Sequence, residues 1–159
     1  VLFFRREKPV SREVGILMRV PLFSCLSRKE LEVIAAILHE RSYIAREIIF
    51  DEGDEGLGMY IIVEGKVKIY KKTLLNKKEL AIMGANDTFG ELALLDGAPR
   101  AASAVAEEPG IVFGFFRPEF LEIMESHHRI GMRLSFALAC ETANRLRASL
   151  GRDAAYASL

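Results

Sequence analysis

From Ser42 to Phe116 the chain breaks into short apolar, β-branched and aromatic runs, Met59 to Val63, Val67 to Lys72, Glu79 to Met83 and Ile111 to Phe116, parted by glycine or polar turns. Runs this short must find partner strands, so they predict an antiparallel barrel or jelly roll. On either side the texture turns helical. Ser27-Arg28-Lys29-Glu30 is a capping box, and Leu31, Ile34, Ala35 and Leu38 follow it at helical spacing, predicting a helix from Ser27 to Glu40. Before it, Arg12 to Val20 reads as a shorter helix stopped by Pro21, with Leu22 and Phe23 buried between helices and barrel. After Arg117, Pro118 suits a first helical position, so Glu119 to Ser126 predicts a short helix and Arg129 to Leu150 a long one. The fold class expected is α+β: an antiparallel β jelly-roll barrel flanked by N-terminal helices and two C-terminal helices. One domain spans 1–159, with 1–41 as the helical N-terminal part, 42–117 as the barrel, 118–150 as the C-terminal helices and 151–159 as a tail.

The long helix carries two apolar stripes. Ile130, Leu134, Ala137 and Leu138 form one in its first half; Met132, Phe136, Ala139, Ala143, Leu146 and Leu150 form another along its length, at alternating steps of four and three. One stripe can meet the barrel and the other a second copy of the chain, which predicts a homodimer through this helix. An intramolecular core is the competing reading.

The densest chemistry lies at 89–103, Phe-Gly-Glu-Leu-Ala-Leu-Leu-Asp-Gly-Ala-Pro-Arg-Ala-Ala-Ser. Gly90 permits a tight turn out of a strand, and Glu91 to Leu94 can open a short helix whose free amides face an anion. Arg100 follows a turn marked by Asp96-Gly97-Ala98-Pro99, so its planar fork can return to grip two phosphate oxygens. Glu91 would repel that phosphate unless it accepts from a neighbouring donor such as a ribose hydroxyl, and a site built that way should reject a deoxyribose analogue. A surface Glu–Arg pair explains neither Gly90 nor the small residues Ala101, Ala102 and Ser103.

These residues resemble the cyclic nucleotide-binding domains of catabolite activator protein, cAMP-dependent kinase regulatory subunits and nucleotide-gated channels. The resemblance is carried by Phe89-Gly90-Glu91-Leu92-Ala93-Leu94 with Pro99-Arg100-Ala101-Ala102, which matches the family's phosphate-binding cassette. Phe50 to Asp54 and Met59 to Val67 look like its early barrel strands. The resemblance implies that Arg100, with Ala93, Ala101 and Ala102, holds the cyclic phosphate. It implies that Glu91, with Gly90 and Leu92, serves the ribose, and that Met83 and Ser103 line the base pocket. Asn144 and Arg145 fall where the family's last helix closes over the base. Ala101 lacks the hydroxyl by which a threonine after the arginine favours guanine, so cAMP is expected, with cGMP possible as a second ligand. Ligand binding is expected to move the C-terminal helices.

Other classes fit less well. Lysine plus arginine number 22 and aspartate plus glutamate 22, so no global field draws the chain to nucleic acid, and no direct nucleic-acid partner is expected. No apolar run nears the ~20 residues of a membrane span, and Val1 to Arg6 is too short for a signal peptide; a cytoplasmic location is expected. Cys25 and Cys140 read as free thiols. A jelly-roll metalloenzyme needs histidines alternating on a strand, whereas the chain has only His39, His127 and His128. Asp51, Glu52, Asp54 and Glu55 lack the order of a calcium loop. No nucleophile–base set is apparent, so an enzyme is not expected, and neither metal nor cofactor is called for. The four lysines of Lys71 to Lys78 read as a solvated, edge-protecting hairpin tip. Opening on Val1 reads as part of a longer protein. Two alternatives stay open: the sensor half of an activator-type transcription regulator whose helix-turn-helix module would lie beyond Leu159, and a barrel used for protein interaction or another small anion. The effector is unknown.

Overall fold

Met59 to Val63 is apolar at five successive positions, a pattern a strand tolerates only when both faces are covered. A computed structural model describes residues 9–157, the side chains of 152–157 excepted, and there this run is central. Among the described residues there are eight strands: β1 (His39–Tyr43), β2 (Ile48–Phe50), β3 (Gly58–Glu64), β4 (Val67–Lys72), β5 (Lys77–Met83), β6 (Thr88–Phe89), β7 (Ser103–Ala106) and β8 (Gly110–Phe116). They form two antiparallel four-stranded sheets, ordered β1-β8-β3-β6 and β2-β7-β4-β5. Tyr60 and Ile62 of β3 point between the sheets, against Val67, Ala104 and Ala106 of the second sheet. Met59 and Ile61, one residue out of phase, meet the helices with Phe113 and Phe115.

The expected jelly roll is present, as an open pair of sheets rather than a closed barrel. The chain crosses repeatedly from one sheet to the other, and strands of two to seven residues end before a ladder can wrap round and close.

Five α-helices cover the first sheet's outer side: α1 (Arg12–Leu17), α2 (Arg28–Ala35), α3 (Glu91–Asp96), α4 (Arg117–Ser126) and α5 (His128–Ala157). The capping box of α2 is formed in both directions, Ser27 Oγ accepting from Glu30 N and Glu30 Oε2 from Ser27 N. Its helix stops at Ala35 rather than Glu40, because His39 to Tyr43 pair with β8. Leu38 still packs on the core, so apolar spacing alone could not separate the helix from the turn beyond it. The first helix likewise ends early, at Leu17, and a 3₁₀ turn over Pro21–Phe23 buries Leu22 and Phe23.

β8 runs into α4 without a loop, with Pro118 in the first turn. α5 continues through Gly151 to Ala157, where a tail was expected. Ile130, Leu134 and Leu138 are buried in the helical core, while Met132, Phe136, Leu146 and Leu150 of the second stripe are exposed. No helix among the described residues is long and apolar enough to cross a membrane.

Candidate functional site

Gly90 stands at the entrance of α3 with φ 77°, a left-handed conformation that a side chain resists. A Cβ there would also lie 2.5 Å from Arg100 Nη1. At the far end Gly97, φ 68°, stops the helix as its amide donates to Ala93 O at 2.9 Å, and Asp96 Oδ1 accepts from Ala98 N at 2.9 Å. The chain is thereby reversed towards Arg100.

Arg100 is clamped by its backbone before its side chain does anything. Its amide donates to Asp54 O at 2.8 Å and its carbonyl accepts from Gly53 N at 2.9 Å. The acidic run 51–55 supplies the other half of this clamp: Asp54 Oδ2 accepts from Asp51 N at 2.7 Å. Ser103 completes it, its Oγ donating to Asp51 Oδ1 at 3.1 Å and accepting from Glu52 N at 2.9 Å. The Asp51 carboxyl is held below its usual range first by the hydrogen bond from Lys72 and then by Ser103.

The Arg100 side chain is buried, at 5% exposure. Nη1 donates to Gly58 O at 2.6 Å and Gly90 O at 3.2 Å, and the guanidinium carbon sits 4.0 Å from the Phe50 ring centroid and 5.7 Å from that of Tyr60. Nε is buried with no hydrogen-bond partner among the described residues. Burial pulls this guanidinium below the ordinary arginine value, opposed by Tyr60, Asp54 and Glu91. A cation so placed has lost most of its water, and its unpartnered donor gives an anion a strong reason to approach.

Glu91, also 5% exposed, accepts at Oε1 from Arg145 Nη1 at 2.8 Å. Arg145 Nη2 donates to Thr88 O at 2.8 Å and to Glu141 Oε1 of its own helix, so two bonds from this one guanidinium fasten the second half of α5, one to α3 and one to β6. Together these elements enclose a cavity of about 350 Å³.

Its wall brings together Arg100, Ala101, Ala102, Ala93, Gly90, Glu91, Leu92, Met83 and Arg145. Two residues read as candidates from the sequence lie elsewhere. Ser103 is fully buried in the clamp described above, and exposed Asn144 accepts from Arg147 Nη2 at 2.9 Å.

The model of the cyclic nucleotide-binding domain family matches residues 40–127, more than half of the chain. The chain belongs to that family. It is 32% identical over 120 residues to the cyclic AMP receptor protein of Thermus thermophilus, covering 75% of this chain and 56% of that protein. Against the cAMP-dependent protein kinase regulatory subunit of Mycosarcoma maydis it is 40% identical over 90 residues, covering 57% of this chain and 17% of that protein. The crystal structure of Thermus thermophilus catabolite activator protein superposes with a TM-score of 0.76 at 33% identity, over 86% of this chain and 63% of that one. The chain thus spans little more than half the length of the first of these curated relatives and a sixth of the second.

In this cyclic nucleotide-binding domain the sequence reading missed much of the apolar wall: Phe50, Ile69, Leu80, Ala81, Phe89 and Ala148. Ala148 had a usable signal, since it lies one helical turn beyond Arg145. Phe50 had none, because the guanidinium it stacks on belongs to Arg100, far along the chain.

Proposed function

We propose that the cavity binds a cyclic nucleotide, cAMP in preference to cGMP, and that the domain reports occupancy by moving its C-terminal helices. What carries this reading is one observation: a buried guanidinium with an unpartnered donor and a buried carboxylate line the same apolar cavity. The cation suits the cyclic phosphate. Glu91 Oε2, for which no hydrogen bond from the described residues is present, suits the ribose 2′-hydroxyl, and Met83, Leu80 and Ile69 suit a flat base. Ala101 brings no hydroxyl to the amine that distinguishes guanine.

The movement would start at α3. Leu94, fully buried, shares the helical core with Phe120 of α4, and Arg145 fastens α5 to Glu91. A phosphate drawn to Arg100 pulls on α3, and α4 and α5 follow. Such a switch requires tighter binding to one arrangement, by about 1.4 kcal/mol for each tenfold change in population. The relatives named above are longer regulators, which supports a sensor role within a larger protein. The exposed seam of Met132, Phe136, Leu146 and Leu150 supports a homodimer through α5.

Calorimetry with cAMP, cGMP, 2′-deoxy-cAMP and 5′-AMP tests the ligand. The expected order places cAMP first, with the deoxy analogue weaker by about 1–3 kcal/mol, roughly 5- to 150-fold, because Glu91 loses its donor. Equal binding of cAMP and the deoxy analogue would remove Glu91 from the site.

A further inference from the structure

Leu74 and Leu75 stand on the tip of the β4–β5 hairpin with 105% and 91% of their surface exposed. No other pair of adjacent large apolar residues is so bare among the described residues. The turn that presents them is fixed. Thr73 N and Thr73 Oγ1 both donate to Asn76 O, at 2.8 and 2.6 Å, and Thr73 Oγ1 accepts from Asn76 N at 3.0 Å. Directly beneath, Lys72 pairs in register with Lys77 and Lys71 with Lys78, so two rungs of lysine support the two leucines.

Acids offset only part of this charge. Lys72 Nζ lies 2.8 Å from Asp51 Oδ1 and Lys71 Nζ 3.4 Å from Glu52 Oε1. Lys77 Nζ rests 4.8 Å from the Tyr70 ring centroid and helps to hold the Asp51 carboxyl below its usual range without forming an ion pair with it, and among the described residues Lys78 has no ion-pair partner. The tip therefore keeps two cations without a direct ion pair on its β5 side, although the whole chain is neutral.

We propose that this hairpin tip docks onto an anionic lipid surface, inserting Leu74 and Leu75 below the headgroups while Lys77 and Lys78 meet lipid phosphates and carboxylates. The convex shape selects this partner. A protein surface covers one side of a knob, and two leucines fall far short of the roughly 1,200 Å² that specific protein interfaces bury. A bilayer closes around the knob on every side. An edge guarded only against other strands needs the lysines and gains nothing from the leucines. The attachment is weak and salt-sensitive, becoming effective when several copies or a second anchor share one surface. It leaves the nucleotide cavity open, because the β5 residue of the cavity wall nearest the tip is Leu80, roughly 10 Å from Lys77 along the strand.

The chain contains no tryptophan, so Leu75→Trp gives a single reporter at the tip. With vesicles of phosphatidylcholine containing one-third phosphatidylserine, its emission should shift to the blue, and the unsubstituted chain should co-sediment. Neither should occur with phosphatidylcholine alone. Leu74→Ser with Leu75→Ser, and separately Lys77→Glu with Lys78→Glu, should each reduce sedimentation about tenfold. Both pairs should leave thermal unfolding and nucleotide binding unchanged. Equal sedimentation with both lipids, an unshifted emission, or full binding by the double-serine variant would overturn the proposal.

Discussion

Arg145 Nη1 donates to Glu91 Oε1 at 2.8 Å, joining α5 to the first residue of α3 across 54 positions of sequence. The first half of α5 is held by Ile130, Leu134 and Leu138, all buried; among the described side chains the second half has no buried apolar anchor and depends on this guanidinium. Arg145→Ala should therefore accelerate amide exchange over 141–150 roughly fivefold, for about 1 kcal/mol of partly exposed attachment, while 130–138 stays unchanged. Uniform exchange along the helix would show that α5 is held elsewhere.

The stack of Arg100 on Phe50 predicts a positioning role for the ring. Phe50→Leu keeps an apolar wall but loses the π face 4.0 Å from the guanidinium carbon. Nucleotide affinity should fall by about 1 kcal/mol, near fivefold, with Phe50→Tyr restoring it. Calorimetry on both variants reads the difference, and equal loss in the two would mean that only packing matters.

Substituting Gly90→Ala tests backbone and ligand grip together. The left-handed φ of 77° costs a non-glycine residue about 1–2 kcal/mol. In addition, the new methyl would stand 2.5 Å from Arg100 Nη1. Thermal unfolding should fall modestly, while nucleotide affinity falls further, because the guanidinium must leave the carbonyls of Gly58 and Gly90.

Tyr43 offers a prediction from pH. Its hydroxyl is buried without a partner, and burial pushes its pKa from 10.0 up to about 12, with Tyr60 adding and Arg41 opposing. The folded state holds this proton more tightly than the unfolded chain. Its contribution to stability is therefore complete below pH 10.0 and is lost as pH rises through about 12. Tyr43→Phe should flatten that alkaline decline in denaturant titrations and cost nothing at neutral pH, since no hydrogen bond is removed.

For the exposed seam of α5, sedimentation of the chain should reveal a concentration-dependent dimer, and Phe136→Glu should abolish it. Phe136 is 72% exposed, so the substitution leaves the core intact. A wild-type chain that stays monomeric at high concentration would leave this seam without a second copy.

Much of the fold was legible because its signals are local. The capping box at Ser27 and Glu30 needs four residues, the turn at Asp96 to Pro99 needs four, and the doubly buried β3 declares itself by uninterrupted apolar residues. Strands β1, β2, β6 and β7 were not legible. His39 to Tyr43 is polar in four of five positions and becomes a strand only by pairing with β8, and Thr88–Phe89 is too short to carry a period. At the site, Gly90, Glu91 and Arg100 were readable because their residue types are unusual together. Phe50 was not, since an aromatic before an acidic turn reads the same whether or not it stacks on an arginine.

By itself the sequence determined the parts whose physics acts over a few neighbouring residues: the helix starts, the glycine turns, and the presence of a guanidinium and a carboxylate in one short excursion. Only the tertiary structure decided that Ser103 braces the clamp, that Arg145 rather than Asn144 reaches Glu91, and that the sheets stay open. Those outcomes depend on burial and on contacts between residues about 50 positions apart, and no local pattern encodes which distant side chain will arrive.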